Sequence, residues 1–505
     1  MENFGGLGWL DYVTIALFFV MIIGIGFWSQ RSVKSSDDFY VGGGKIPWWL
    51  SGISHHVSGY SGVMFVGYAG IAYTYGTAIY FWWACNIGLG MAISSVLIAP
   101  RWPRLRRALG IQSPTEYLEV RYSTAAQMLV AICGIISKLI DVAAKWASLG
   151  ILLNGFTGLP VWLGIIVGSC ASMLYITIGG ILADLLTDCA QFAVTFIAGM
   201  MIFISALLHL QNYGLNLFTA FEALPADHLR IFNEGHGQGS FTWTIVYFLT
   251  QFLNYSGGVW NLAARFISTP EDKEAKKAAM LSSVMYFIWP LILFIPMWLG
   301  PIFFPGMTQA QAESSLYASL AKAFLPTGLV GLVLAAMFAQ TMSMCNSDVN
   351  TVSAVITRDI LPKFKASLKT LGDSESLRLA RVTTILFTAA TVIIGLFNEQ
   401  FGGITGMILT WFSAMTGPTA IPLICGLLPA FKHCDSKAAI VSSLAGLAAF
   451  AVTRMGLNLG TDVELALPLV TSFVVFCGIG MVNHYVLKQP VPEMTANLME
   501  KLGEE

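Results

Sequence analysis

Long apolar runs alternate with short polar or charged stretches along the whole chain. A helix needs about 20 apolar residues to cross the hydrocarbon core of a bilayer. The runs therefore predict thirteen membrane-spanning helices, at 10–28, 48–73, 77–99, 126–154, 161–178, 182–208, 241–260, 278–304, 326–350, 382–397, 403–430, 438–455 and 465–487. The predicted fold class is all-α and polytopic, with residues 1–505 forming a single membrane domain.

The composition agrees with lipid as the solvent. Hydrophobic residues make up 56% of the chain and charged ones 11%, whereas an ordinary soluble domain has roughly 25% charged residues. A net charge of −1 argues against a broad nucleic-acid-binding face. No basic stretch precedes the first apolar run, so we expect a retained helix rather than a cleaved signal peptide. The eight cysteines are single, with no CxxC pair, and predict neither disulfides nor a metal cofactor.

The basic residues predict the orientation. Most of the 27 Lys and Arg residues fall in one set of alternate loops, which includes Arg265 and Lys273. Cytoplasmic loops of membrane proteins carry an excess of Lys and Arg. We therefore expect the amino terminus outside and the carboxyl terminus in the cytoplasm, in a bacterial inner (plasma) membrane.

Two of the predicted spans are interrupted by small residues at membrane depth. The second span contains Gly52, Gly59, Gly62 and four serines between residues 51 and 61, and the seventh contains Gly257 and Gly258. Paired broken spans are typical of inverted-repeat transporters, and unwound backbone there supplies carbonyls and amides to a cargo or an ion. The alternative is that the glycines and serines allow close helix packing.

Several motifs, in order along the chain, resemble those of the sodium:solute symporter family. They are DDFYVGGGKIPWW (37–49), LYITIGGILADLLTDCAQ (174–191), NLAARFIS (261–268) with KEAKKA (273–278), and MSMCNS (342–347). The resemblance covers roughly residues 10–430. It implies a LeuT-like fold with a leading helix (10–28), two inverted five-helix repeats (48–208 and 241–430) and C-terminal helices (438–487).

The resemblance also implies the activity. The expected function is secondary active symport, in which the sodium gradient drives uptake of a small organic solute by alternating access. A sugar or a related solute is favoured, the protein is expected to be a monomer, and no enzymatic activity is expected. A channel would show a continuous polar pore and an enzyme a converging catalytic set, and neither is visible in the sequence.

A main sodium site is implied where the first broken helix meets the eighth core helix. The matching backbone carbonyls are those of Val57, Tyr60 and Ala336. The two family hydroxyls fall on Ala339 and Gln340, and neither residue has one. Oxygen ligands suit a small hard cation, so either Gln340 or the nearby Thr341 supplies an oxygen, or this site no longer holds sodium.

A second sodium site is implied at Asp188, together with Ser343. A carboxylate inside the membrane is costly unless it is paired, protonated or bound to an ion. The alternative is that Asp188 and Asp184 only cap a helix at the cytoplasmic boundary.

Two further groups of titratable residues lie in the spans. His55 and His56 precede the first interruption by one turn, and because histidine titrates near neutrality, a proton could replace the coupling ion. The alternative is a structural histidine hydrogen-bonded across helices. Asp141 and Lys145, with Lys138, share one helix face and can neutralise one another. The resemblance implies that Asp141 and Lys145 have the reverse charges of the sugar-binding members and lack the arginine of the sialic-acid members.

The resemblance assigns the solute to a set of positions that are mostly aromatic or apolar in this chain. The candidate substrate residues are Ser61, Met64, Trp83, Asn86, Phe252, Tyr255, Tyr286 and Thr410. Tyr255 matches the aromatic residue that closes the pocket from the cytoplasm. Such rings can stack on a sugar or cover an apolar or cationic solute, and some of them can instead belong to the interfacial aromatic belt.

Overall fold

The computed structural model describes residues 6–235, 238–401, 406–407, 416–455 and 461–503. Within these ranges the protein consists of helices and connecting turns, with no β-strand. The principal helices of the first half are α1 (Trp9–Ser29), α2 (Trp48–Val57), α3 (Gly62–Phe65), α4 (Gly67–Tyr75), α5 (Asn86–Leu97), α6 (Thr124–Thr157) and α7 (Val161–Leu210). Those of the second half are α8 (Phe241–Leu253), α9 (Asn261–Ile267), α10 (Asp272–Trp298), α11 (Gln309–Phe324), α12 (Leu329–Ala354), α13 (Asp373–Leu396), α14 (Ser436–Met455), α15 (Thr461–Met481) and α16 (Glu493–Gly503).

The described helices agree with the predicted spans, except that residues 403–405 and 408–415 of the span 403–430 lie outside the described residues. Nine of them are long and apolar enough to cross a membrane, and two shorter apolar helices cover Val161–Leu174 and Thr416–Cys425 within these ranges. The two predicted spans at 48–73 and 241–260 are the interrupted ones. These observations confirm an all-α polytopic protein.

Both predicted interruptions are present. α2 ends at Val57, and the helical path resumes only at Gly62. α8 ends at Leu253 and runs into a wider turn over Asn254–Gly258, in which Gly257 has φ 126°. An L-residue rarely adopts that conformation, so glycine is required there. Backbone polar groups are therefore freed from helical hydrogen bonding at two places inside the bundle.

α7 changes direction at Gly180, where φ is 55° and ψ is −149°. A Cβ atom at this position would lie 2.6 Å from the carbonyl oxygen of Phe39. Gly180 thus separates the two predicted spans at 161–178 and 182–208, and places Asp184 and Asp188 shortly after the bend.

α12 forms the centre of the bundle. In its apolar stretch 89% of the residues are buried, against 22% in the leading helix α1. α1 is nevertheless fixed to α12, because Asp11 accepts the backbone N–H groups of Gly328 (2.6 Å) and Gly331 (2.7 Å). A carboxylate at that point satisfies otherwise unpaired N–H groups at the start of a helix.

Candidate functional site

A cavity of about 60 Å³ lies beside both interruptions. Its lining comes from the first interruption, from α6 and α12, and from the second interruption: Gly59, Tyr60, Ser61, Val63, Met64, Tyr68, Trp83, Asp141, Ala144, Lys145, Gln251, Tyr255, Val259, Leu262 and Met344. A buried water needs about 10–15 Å³ of cavity volume of this kind. The cavity therefore has room for roughly four to six waters. The candidate substrate residues Ser61, Met64, Trp83 and Tyr255 all line it.

The other candidate substrate residues lie elsewhere. Asn86 donates from its amide to the carbonyls of Trp82 and Thr244, both at 2.9 Å, and so ties α5 to α8. Phe252 is partly buried outside the lining, with its backbone against Gly90. Tyr286 stands behind the cavity wall, and Thr410 lies outside the described residues.

Aromatic rings form most of one wall. Tyr60 meets Trp83 edge-on with ring centroids 5.3 Å apart and stacks on Tyr286 at 5.5 Å. Tyr286 donates from its hydroxyl to the carbonyl of His56 (3.1 Å), and Tyr255 donates to that of Gly59 (3.2 Å). Tyr255 therefore links the two interruptions directly.

Two buried polar atoms of residues that line the cavity have no hydrogen-bond partner within the described ranges. They are the hydroxyl of Tyr60 and the amide oxygen of Gln251, and both side chains are buried. The amide nitrogen of Gln251 donates to the hydroxyl of Tyr247 at 2.9 Å. Gln251 was not singled out from the sequence, although it directly precedes the candidate Phe252.

Four buried charges form a network on one side of the cavity. Lys138 and Lys145 on α6 donate to the same oxygen of Asp141, Oδ2, at 2.9 and 2.8 Å. They also reach Asp348 on α12, at 2.6 and 2.5 Å. The network is neutral in sum. Asp348 was not singled out from the sequence.

A second buried cluster contains two carboxylates and one guanidinium. Arg265 donates to Asp184 (2.5 Å) and Asp188 (3.3 Å), and all three side chains are fully buried. Ser343 donates to Asp188 at 2.5 Å, and Ser54 also donates to it. The hydroxyl of Ser58 also donates to Asp188, and that of Ser347 donates to Asp184.

The loop assignment of Arg265 was wrong. Hydropathy and charge put it in a cytoplasmic loop, whereas it lies on α9 with none of its surface exposed. Its charge is tolerated inside because two carboxylates face it. With two acids and one base, the cluster has a formal charge of −1 when both carboxyl groups are ionised.

At the implied main sodium site, Thr341 is already engaged. Its hydroxyl accepts the N–H of Gly62 (2.8 Å) and donates to the carbonyl of Met337 (3.0 Å). Gln340 is buried, and neither atom of its side-chain amide has a partner within the described part of the chain. Of the implied carbonyls, that of Val57 accepts the N–H of Tyr60 (3.1 Å) and that of Ala336 accepts the hydroxyl of Thr195 (3.5 Å). Ala339 contributes no side-chain oxygen.

The two histidines have different surroundings. His55 bonds through Nδ1 to the hydroxyl of Ser282 (2.8 Å) and through Nε2 to the carbonyl of Tyr255 (3.1 Å), so it joins α2 to α10 and to the second interruption. His56 is fully buried among aromatic rings. Its ring centroid lies 4.5 Å from that of Tyr286 and 4.9 Å from that of Tyr60. Neither nitrogen of His56 has a hydrogen-bond partner in the described ranges.

Two interrupted helices beside a central cavity, with two buried charge clusters packed against the central helix α12, define a polytopic membrane transporter. The sequence profile of the sodium:solute symporter family matches residues 39–446. The chain therefore belongs to the sodium:solute symporter family.

Relatives with named cargoes match over most of this chain. It is 25% identical to the human sodium/iodide cotransporter, over 95% of this chain and 75% of that one. It is 23% identical to the sodium/glucose cotransporter of Vibrio parahaemolyticus, over 88% and 84% of the two chains. A solved structure of a Na⁺-coupled sialic acid symporter in a substrate-bound outward-open state aligns with a TM-score of 0.81, at 19% identity, over 96% of this chain and 99% of that one. This likeness establishes the LeuT-like fold, and the relatives are transporters rather than enzymes.

Proposed function

We propose that this protein uses a sodium gradient to drive the uptake of a small organic solute through the central cavity, by alternating access. The observation that carries the proposal is the buried cluster of Asp184, Asp188 and Arg265, in which two acidic groups face one basic group. Sodium is the coupling ion in the names of the relatives, and a monovalent cation at Asp188 makes this cluster neutral.

The chemistry around Asp188 suits a small hard cation. Carboxylate and hydroxyl oxygens are the ligands that such cations prefer. Ser54, Ser58 and Ser343 each carry a hydroxyl with one donor and two acceptor positions, so they can turn a lone pair to an ion after giving up a bond to Asp188. A buried charge left uncompensated is costly in low dielectric, which favours occupancy by an ion.

The implied main site has fewer ligands. Thr341 uses its hydroxyl to hold the first residue of α3, and Ala339 offers none. Of the two residues matched to the family's hydroxyl ligands, only Gln340 then offers a side-chain oxygen, that of its amide. We propose that the essential sodium is the one at Asp188, and that Gln340 is the candidate ligand for any second ion.

Thermal melting of the purified protein tests the sodium site. A ligand that binds only the folded protein raises stability by RT ln(1 + [L]/Kd). We expect sodium chloride, but not potassium or choline chloride at equal ionic strength, to raise the melting temperature. Asp188→Asn removes this rise and abolishes sodium-stimulated uptake into liposomes.

The control is Asp272→Asn, the same substitution in a partly exposed ion pair with Arg104 and Arg107. It keeps the sodium response, because exposed pairs contribute little. Sodium stimulation that is unchanged in Asp188→Asn, with the variant eluting as a folded protein, would refute the assignment.

The proposed setting is the bacterial inner membrane, with the amino terminus outside and a monomer as the working unit. The basic loops described above support the orientation. The relatives carry solutes as different as iodide and glucose, so their names leave the solute open.

A further inference from the structure

We propose that the solute is a small zwitterion, an α-amino acid with a short apolar side chain, bound between Asp141 and Lys145 on the cavity wall. This inference rests on the proposed transport function and specifies its substrate class. Four observations carry it: the paired charges, the two buried polar atoms without a partner in the described ranges, the apolar remainder of the lining, and the cavity volume.

The cavity presents one acid and one base side by side. Asp141 and Lys145 lie one helical turn apart on α6 and both line the cavity. Both lysines donate to Oδ2 of Asp141, and because Asp141 lines the cavity, a bound ammonium group can approach its carboxylate. The solute's ammonium group then meets Asp141, and its carboxylate group meets Lys145.

Further polar atoms support the two ends. The amide oxygen of Gln251 is a buried acceptor without a partner in the described ranges and suits an ammonium group. The hydroxyl of Tyr60 is equally unpartnered and can donate to a carboxylate. A buried polar atom without a partner is destabilising, so a solute that satisfies both gains affinity from them.

Charge balance disfavours solutes that carry a net charge. The network of Lys138, Asp141, Lys145 and Asp348 is neutral. A monocarboxylate would bring a net negative charge into a neutral buried site, and a simple amine a positive one. A zwitterion adds no net charge, and its dipole lies antiparallel to that of the Asp141–Lys145 pair.

The apolar part of the lining favours a solute with an apolar side chain over a polyol. Val63, Met64, Trp83, Val259 and Met344 present apolar surface. A hexose has a hydroxyl on nearly every carbon, and few partners for them are present. Room for roughly four to six waters also suits a small solute better than a hexose.

Analogues of one solute test the proposal without changing the protein. Purified protein in saturating sodium is screened by thermal shift against glycine, alanine, serine, valine and proline, with glucose, lactate and iodide as competing classes. For the best amino acid, the methyl ester and the N-acetyl derivative are then compared. We expect each derivative to lose at least about tenfold in affinity, because each loses one charge-assisted contact.

A substitution gives a signature that a purely structural role does not. Asp141→Asn leaves the network with a net positive charge and removes the ammonium acceptor. We expect it to lose at least about tenfold in amino-acid affinity and to bind lactate better than the wild type does. Asp272→Asn serves as the matched control and keeps the wild-type preference.

The outcomes separate this inference from the proposed function. Sodium-dependent binding of glucose, lactate or iodide, with no binding of any amino acid, overturns the substrate class alone. Equal affinity for the free amino acid and its two derivatives, or no response to any amino acid, overturns it as well. Amino-acid binding with the expected derivative pattern but no dependence on sodium, seen when sodium is replaced by choline, overturns the proposed coupling and supports the zwitterion site.

Discussion

The hydroxyl of Thr341 fixes the start of α3 to α12 by one bond to the N–H of Gly62, 2.8 Å long. Thr341→Val keeps the size of the side chain and removes the acceptor. We expect a loss of about 1–3 kcal/mol of stability, since a buried N–H is then left unpaired. Thermal melting in the absence of solute measures the loss.

Thr351→Val provides the comparison on the same helix. The hydroxyl of Thr351 donates only to the carbonyl of Ser347, one turn earlier. Its removal leaves no N–H group unpaired, so the melting temperature should change little. Equal destabilisation by the two substitutions would show that the hydrogen bond from Gly62 to Thr341 does not contribute more to stability than an ordinary threonine hydroxyl.

His56 lies in a ring cluster in which a neutral aromatic side chain can replace it. Its nitrogens have no hydrogen-bond partner in the described ranges, and Tyr286 and Tyr60 surround it. We expect His56→Phe to keep sodium-driven uptake at constant pH, whereas His55→Phe loses stability with its bonds to Ser282 and Tyr255. Uptake that fails in His56→Phe in a folded protein would point to proton coupling.

Distance along the chain decided which side-chain partners could be predicted. Lys138, Asp141 and Lys145 are three and four residues apart, and helical geometry alone brings them together. Asp348 is 203 residues beyond Lys145 and joins that group only through the packing of α12 on α6. Arg265 reaches Asp188 across 77 residues for the same kind of reason.

The first interruption depends on a glycine that has no room for a side chain. A Cβ atom at Gly59 would lie 1.8 Å from the hydroxyl of Tyr286 and 2.8 Å from a ring carbon of Tyr255. We expect Gly59→Ala to displace Tyr255 and Tyr286 and to abolish solute binding. Solute-dependent thermal shifts measure this.

Gly67 provides the control two turns further along the same membrane-spanning segment. A Cβ atom there meets only a methyl group of Val63, at 3.7 Å, which is an ordinary contact. Gly67→Ala should therefore bind solute as the wild type does. Binding that survives in Gly59→Ala would mean that the rings are not fixed by this close approach.

Local composition predicted where helices break, but not every buried helix. Glycine and serine at membrane depth identified both interruptions, because such residues weaken a helix wherever they cluster. α9 was assigned to a loop because Asn261 and Arg265 are polar, and hydropathy counts a charge as exposed. The carboxylates that make Arg265 acceptable inside come from α7, which no local pattern reveals.

The orientation of the whole molecule follows from its basic loops and can be tested with single cysteines. In a cysteine-free background, Glu222→Cys lies in a segment expected outside and Lys276→Cys in one expected in the cytoplasm, and both positions are exposed. A membrane-impermeant thiol reagent should label only the first in intact cells and both after permeabilisation. The reverse pattern would invert the topology.

Ser347 and Asp348 are consecutive on α12, yet the first contacts Asp184 and Arg265 while the second contacts Lys138 and Lys145. One peptide bond thus separates the proposed ion site from the proposed cargo site. Coupling between two binding events is reciprocal by thermodynamic necessity. If the cargo raises the affinity for sodium by some factor, sodium must raise the affinity for the cargo by the same factor. Titrations of each ligand in the presence and absence of the other should therefore give the same ratio of affinities.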